Sequence, residues 1–124
     1  MQENECKGHF CAQRLPCVSF HHRNQEQTGI LDTGFNGFAQ LPSWNRDFSK
    51  PARTGYSSLA NGTQSATFFV EETITFAGRS VTGLVQYPSG LGSSVLLGMG
   101  FLKQFKLKLI VSPLNNLVIL RQDD

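Results

Sequence analysis

Apolar and polar residues alternate over short stretches of this 124-residue chain, and turn-forming residues interrupt the alternation every few positions. A period of two puts successive side chains on opposite faces of a strand, so the pattern predicts half-buried β-strands. The first covers residues 15–20 (LPCVSF), the polar run HHRNQEQ at 21–27 suits a connection, and residues 28–31 carry a second apolar strand up to Asp32. After the turn DTGFNG comes a short apolar run at 38–41, then a loop at 43–55 rich in Ser, Asn, Arg and Pro. Residues 56–60 and 63–69 flank Asn61-Gly62, a dipeptide suited to the positive φ angles of a two-residue hairpin turn. From 68 to 76, Phe68, Val70, Ile74 and Phe76 share one face and Glu71, Thr73 and Thr75 the other. Glu72 breaks the apolar face. Ala77, Gly78 and Arg79 turn the chain into a strand at 80–87, and after the loop PSGLGSS residues 95–97 form a short apolar one.

One segment changes period. Between Gly98 and Phe105, Met99, Leu102 and Phe105, or Phe101 and Phe105, fall at spacings of three and four, which predicts about two turns of helix near the C-terminal end. Residues 106–111 and 117–121 then form a last hairpin around Ser112, Pro113, Asn115 and Asn116. Seven or more short strands with one short helix indicate an all-β class, closed or sandwich-like. The polar, unpatterned residues 1–14 read as an N-terminal arm preceding a single domain at 15–124.

Composition narrows the function classes. Eleven basic and nine acidic side chains leave a net charge of +2, too small to make nucleic acid or an anionic membrane the expected partner. No run approaches the roughly 18 apolar residues of a membrane span, and the N-terminus lacks the apolar core of a secretory signal. All three cysteines, Cys6, Cys11 and Cys17, fall in the first 17 residues, and the odd count favours free thiols in a reducing compartment, with a single surface disulfide as the alternative. The expectation is a cytoplasmic protein. Cys6, His9, Cys11, Cys17, His21 and His22 are chemically able to bind zinc, but their spacing fits no compact finger, so neither metal nor cofactor is expected. Gly90 and Gly92 lack the third glycine of a dinucleotide fingerprint.

The chemistry concentrates at Asp32-Thr33-Gly34. An isolated Asp-Thr-Gly is usually a turn in which the carboxylate accepts a backbone N–H. Here the acid follows an apolar strand, Gly34 and Gly37 follow the acid, and a later Val-Leu-Leu-Gly at 95–98 leads into the short helix. Joined in this order, ILDTGFNGFAQLP and Leu96-Leu97-Gly98-Met99 followed by Phe101-Leu102 resemble the two signatures of small, single-lobed retropepsin-like aspartic proteases. The likeness runs from about Leu15 to Leu120. Residues 1–14 have no counterpart in it, and Gly100 stands where many relatives carry an acid.

The resemblance implies a closed retropepsin-like β-barrel with a flap hairpin and one short C-terminal helix. It also implies an endopeptidase whose water nucleophile lies between two carboxylates sharing a proton, one acting as base and one as acid. The chain holds a single Asp-Thr-Gly, so the second Asp32 must come from another copy, in a C2 homodimer acting on peptide or protein substrates. Asp32, Thr33 and Gly34 would form the catalytic triplet, with the Thr33 hydroxyl bonding across the axis and the Gly34 N–H donating to the Asp32 carboxylate. Ile30, Leu31, Leu96, Leu97 and Gly98 would wall the site, and Ala60, Asn61, Gly62 and Thr63 would tip the flap. The alternative is a non-catalytic dimeric β module of the same shape that binds peptide or protein partners.

Overall fold

In the computed structural model, residues 5–58, 62–89 and 94–123 are described. Period-two patterning yields strands β3 (Pro16–His22), β4 (Gln25–Leu31), β5 (Ala39–Gln40), β7 (Gln64–Phe76), β8 (Arg79–Pro88) and β9 (Leu96–Leu97). They are hydrogen-bonded in the order β3-β4-β9-β5-β8-β7, and β7 pairs back to β3 through His21 with Thr75 and His22 with Ile74. That last pairing closes the barrel into a ring of hydrogen bonds. Strands β2 (His9–Phe10) and β6 (Arg53–Ser58) extend it beside β3 and β7.

Two hairpins turn on residues in the left-handed region: Arg23 and Asn24 (φ 54° and 65°) between β3 and β4, and Ala77 and Gly78 (φ 53° and 78°) between β7 and β8. The polar run at 21–27, expected as a connection, is therefore strand on both sides of a two-residue turn. Outward positions of a barrel strand tolerate polar side chains, so polarity alone did not mark a loop. The last pair between β6 and β7 is Ser58 with Gln64, which leaves residues 59–63 to connect them. The two-residue turn expected at Asn61-Gly62 falls partly outside the described residues, which resume at Gly62.

The helix α1 (Met99–Phe105) buries Phe101, Leu102 and Phe105. Their spacing puts all three on one stripe, and the Phe101 and Phe105 rings meet Phe38 and Phe76 with centroids 5.5–6.5 Å apart. The helix ends at Lys106, whose left-handed backbone (φ 57°) returns its N–H to the Leu102 and Lys103 carbonyls. No helix among the described residues is long and apolar enough to cross a membrane.

The N-terminal segment is not a separate arm from Glu5 onward. Strand β1 (Glu5–Lys7) pairs antiparallel with β11 (Leu117–Gln122), which pairs with β10 (Leu107–Ser112) in a three-stranded sheet. The Gly8 N–H donates to Val118 O at 2.8 Å, and β2 then pairs with β3. A strand that adds to a distant edge needs few apolar residues of its own, and these first residues show no sequence pattern for that reason. Cys11 and Cys17, with Cα atoms 5.9 Å apart, are joined as a disulfide, and Cys6 is a free thiol. The favoured reading of free thiols gives way to its alternative of a single disulfide, and with it goes the thiol argument for a reducing compartment. Among the described residues, no group of three His, Cys, Asp or Glu side chains is placed to hold a metal ion.

Candidate active site

The loop after β4 is built by strand β9, which lies between the strand entering the loop and the strand leaving it. Ile30 and Leu31 pair in parallel with Leu96 and Leu97, while Ala39 and Gln40 pair antiparallel with Leu97 and Leu96. The ladder continues one residue past β4, where the Asp32 N–H donates to Leu97 O at 2.9 Å. Both ends of the loop are thus fixed on one two-residue strand. Inside it, the Gly34 N–H donates to Asp32 Oδ1 at 2.9 Å and the Phe35 N–H to Asp32 O at 3.1 Å. This is an Asx-type turn, in which a carboxylate accepts from the backbone two residues on. It holds one carboxylate oxygen while Asp32 remains partly exposed and Thr33 and Gly34 are exposed.

The other side of the loop packs on the start of α1. The first N–H groups of a helix have no partner within it and need acceptors. Here Gly98 donates to Phe38 O at 3.3 Å, Met99 to Phe35 O at 2.8 Å and Gly100 to Gly37 O at 3.0 Å. Such a close approach excludes side chains. A Cβ on Gly98 would collide with the carbonyl oxygens of Phe35 and Gly37, and one on Gly100 would come within 2.9 Å of the Gly37 backbone. Glycine at 100, where the resembling proteins often carry an acid, is thereby accounted for.

Of the residues expected to wall the site, Leu31, Leu97 and Gly98 are buried, and Ile30 and Leu96 are partly exposed beside Asp32. Of the expected hairpin tip, Ala60 and Asn61 lie outside the described residues. Gly62 follows with φ 85°, and Thr63 leads into β7. Phe35, Gly37 and Gly100, which shape the loop, were not singled out as site residues. The signal for Gly37 and Gly100 was a glycine where two segments approach closely.

A second polar group lies inside the barrel. Glu72, the break in the apolar face of β7, is buried together with His22 and Tyr87, which follow Val18 and Phe20 on β3 and Val85 on β8 at inward positions. The Tyr87 hydroxyl donates to Glu72 Oε1, and His22 Nε2 lies 3.2 Å from the same oxygen and 3.5 Å from the hydroxyl. Burial alone would raise the Glu72 carboxyl, but the hydrogen bonds from His22 and Tyr87 outweigh it and hold the group below its ordinary value. Burial, reinforced by the Glu72 charge, pushes the Tyr87 phenol well above its own. These partners satisfy one carboxylate oxygen, while Glu72 Oε2 has no hydrogen-bond partner among the described residues.

The architecture matches that of a retropepsin-like aspartic protease from Rickettsia conorii, with a TM-score of 0.66 over 98% of this chain and 93% of that one. The chain has the retropepsin-like fold. Sequence identity in that match is 16%, so the likeness is one of backbone and not of side chains. No protein-family model matches the chain, and no curated protein matches its sequence. Within the retropepsin-like barrel Asp32 stands at the end of β4, and the His22–Glu72–Tyr87 group belongs to the interior packing rather than to the Asp32 loop.

Proposed function

We propose that this chain is an aspartic endopeptidase that works as a homodimer, each copy supplying Asp32. The observation that carries this reading is the seating of Asp32: a partly exposed carboxylate at a strand end, with one oxygen held by the Gly34 N–H, in a retropepsin-like barrel. A carboxylate anchored in this way keeps its direction and leaves its other oxygen to meet water and a second carboxylate. The chain offers a single Asp-Thr-Gly, so two copies are needed for two such groups.

In the assembled site one carboxylate takes a proton from water as it attacks the peptide carbonyl. The other, protonated, gives its proton to the carbonyl oxygen. Thr33 bonds across the two-fold axis and steadies the two loops, and Ile30, Leu31, Leu96, Leu97 and Gly98 keep the surroundings apolar, which favours one shared proton over two charges. The β6–β7 hairpin, with 60–63 at its tip, acts as the flap that covers an extended peptide and adds main-chain hydrogen bonds to it.

The test is cleavage of a peptide library by wild type and by Asp32→Asn, each first sized in solution. A dimer whose pepstatin-sensitive cleavage disappears in Asp32→Asn supports the reading. A strict monomer at micromolar concentration, or a folded dimer that cleaves nothing between mildly acidic and neutral pH, overturns it and leaves a peptide-binding module.

A further inference from the structure

The β3–β4 turn, at the far end of β4 from Asp32, borders a cavity of about 480 Å³. Seven strand residues separate the two ends, roughly 25 Å along the strand at about 3.3 Å per residue. The cavity is lined by hydrogen-bond donors from three parts of the chain: His21, Arg23 and Asn24 around the turn, Lys50 from the loop before β6, and Thr73 and Thr75 on β7. From this convergence we infer a binding site for the phosphoryl group of a small phosphorylated molecule, independent of the Asp32 chemistry.

The donor geometry supports an anion. Arg23 donates through Nη1 to Asn45 O at 2.9 Å, and buried Asn45 donates in turn to Gln27 Oε1 at 3.0 Å, so the guanidinium is braced rather than waving in solvent. Neither Arg23 nor Lys50 forms a salt bridge among the described residues. Acids lie close by: Glu72 lines the cavity and is bonded through Oε1 to His22 and Tyr87, Asp47 accepts from the N–H and hydroxyl of Ser49, and Glu26 pairs with His21 across the β3–β4 ladder, so the site would hold an anion by directed hydrogen bonds and not by net charge. Thr73 is paired with Thr82 and Thr75 with Ser80, hydroxyl to hydroxyl at 2.7 Å. Each such pair uses one proton and has a second to donate outward. A braced guanidinium, an ammonium and outward hydroxyls match the oxygens of a phosphoryl group better than the two of a carboxylate.

The turn itself points the same way. A two-residue turn with both residues in the left-handed region favours Asn-Gly, yet this one begins with Arg23 at φ 54°. The turn thereby holds the Arg23 backbone at the rim of the cavity. A second cavity of about 220 Å³, lined by His22, Gln25, Trp44 and Asn45, shares Arg23 with the first.

The test is amide-resolved NMR titration of the intact protein with inorganic phosphate and with glycerol phosphate, against sodium chloride and acetate at matched ionic strength. The inference expects saturable shifts at His21, Asn24, Thr73 and Thr75 with both phosphates and none with the controls. Arg23→Asn, which suits the turn, should keep the fold and weaken binding at least tenfold, as should Lys50→Ala. Asp32→Asn should bind as wild type does, which separates this site from the proposed catalytic one. Equal shifts with acetate, shifts scattered away from the cavity, no shifts at all, or undiminished binding by folded Arg23→Asn and Lys50→Ala would each overturn it.

Discussion

Tyr87 reaches across the interior of the barrel and donates its hydroxyl to Glu72, two residues that are both almost wholly buried. A hydrogen bond to a buried charge is worth about 1.5–3 kcal/mol, because its loss leaves the charge undersolvated. Tyr87→Phe keeps the ring packing and removes that donor, so it should lower unfolding free energy by about 1.5–3 kcal/mol in urea titrations at pH 7. In a double-mutant cycle with Glu72→Gln the two effects should be non-additive by about 1 kcal/mol or more. Additive losses would mean that the contact carries no energy of its own.

The same pair sets the expected pH limits of stability. Glu72 has a folded value below its unfolded one, so its contribution is present above the ordinary carboxylate value of 4.5 and is lost as pH falls through the lowered folded value. Tyr87 is shifted upward, so its contribution is complete below its ordinary value of 10.0 and declines as pH rises beyond that. Urea midpoints measured from pH 3 to 11 should fall at both ends. Glu72→Gln should flatten the acid limb and Tyr87→Phe the alkaline one. Asp47, partly exposed and lowered by its bonds to Ser49, adds to the acid limb in the same direction.

These residues also show where sequence reading succeeds and stops. Alternation identified β7 and placed Val70, Ile74 and Phe76 inward, because each strand face reports its own surroundings. It marked Glu72 as a defect, since a single strand cannot reveal that His22 and Tyr87 wait on two others to satisfy it. The Asp32 loop was legible from its own residues and from the Leu-Leu-Gly run that follows far along the chain. The barrel's closure was expected from the family resemblance alone, not from the strand pattern. Strands β5 and β9 have two residues each, too short for a period, and their pairing is decided by backbone partners distant in sequence. The same holds for β1, whose Glu5 meets Arg121 at the other end of the chain.

The aromatic cluster under α1 should dominate the stability of the C-terminal half. Phe101 is fully buried and touches the rings of Phe38, Phe76 and Phe105. Phe101→Ala should cost about 3–5 kcal/mol, from lost burial and the cavity left behind. Phe101→Leu, which preserves most of the volume, should cost clearly less. Calorimetric melting of the two variants checks this, and equal losses would show that ring contacts rather than filled volume govern the site.

Gly98 tests the link between the fold and the Asp32 loop most directly. Its missing side chain is what allows the start of α1 to lie against the carbonyl oxygens of Phe35 and Gly37, and through them against the loop that carries Asp32. In Gly98→Ala the obstacle is backbone, which cannot swing aside as a flexible side chain would. Either the helix start or the loop must move, at a cost of about 1–3 kcal/mol or more. Movement of the loop would redirect Asp32 at the proposed dimer axis, where a shift of about 1 Å is enough to cost a hundredfold in rate. Gly98→Ala should therefore lose cleavage under conditions where circular dichroism still reports a folded barrel. Gly62→Ala, at a position where an added Cβ meets nothing within 4 Å but φ is 85°, should lower stability through backbone strain and leave the Asp32 loop as it is. A folded Gly98→Ala protein with wild-type activity would show that the contact between helix start and loop does not position Asp32.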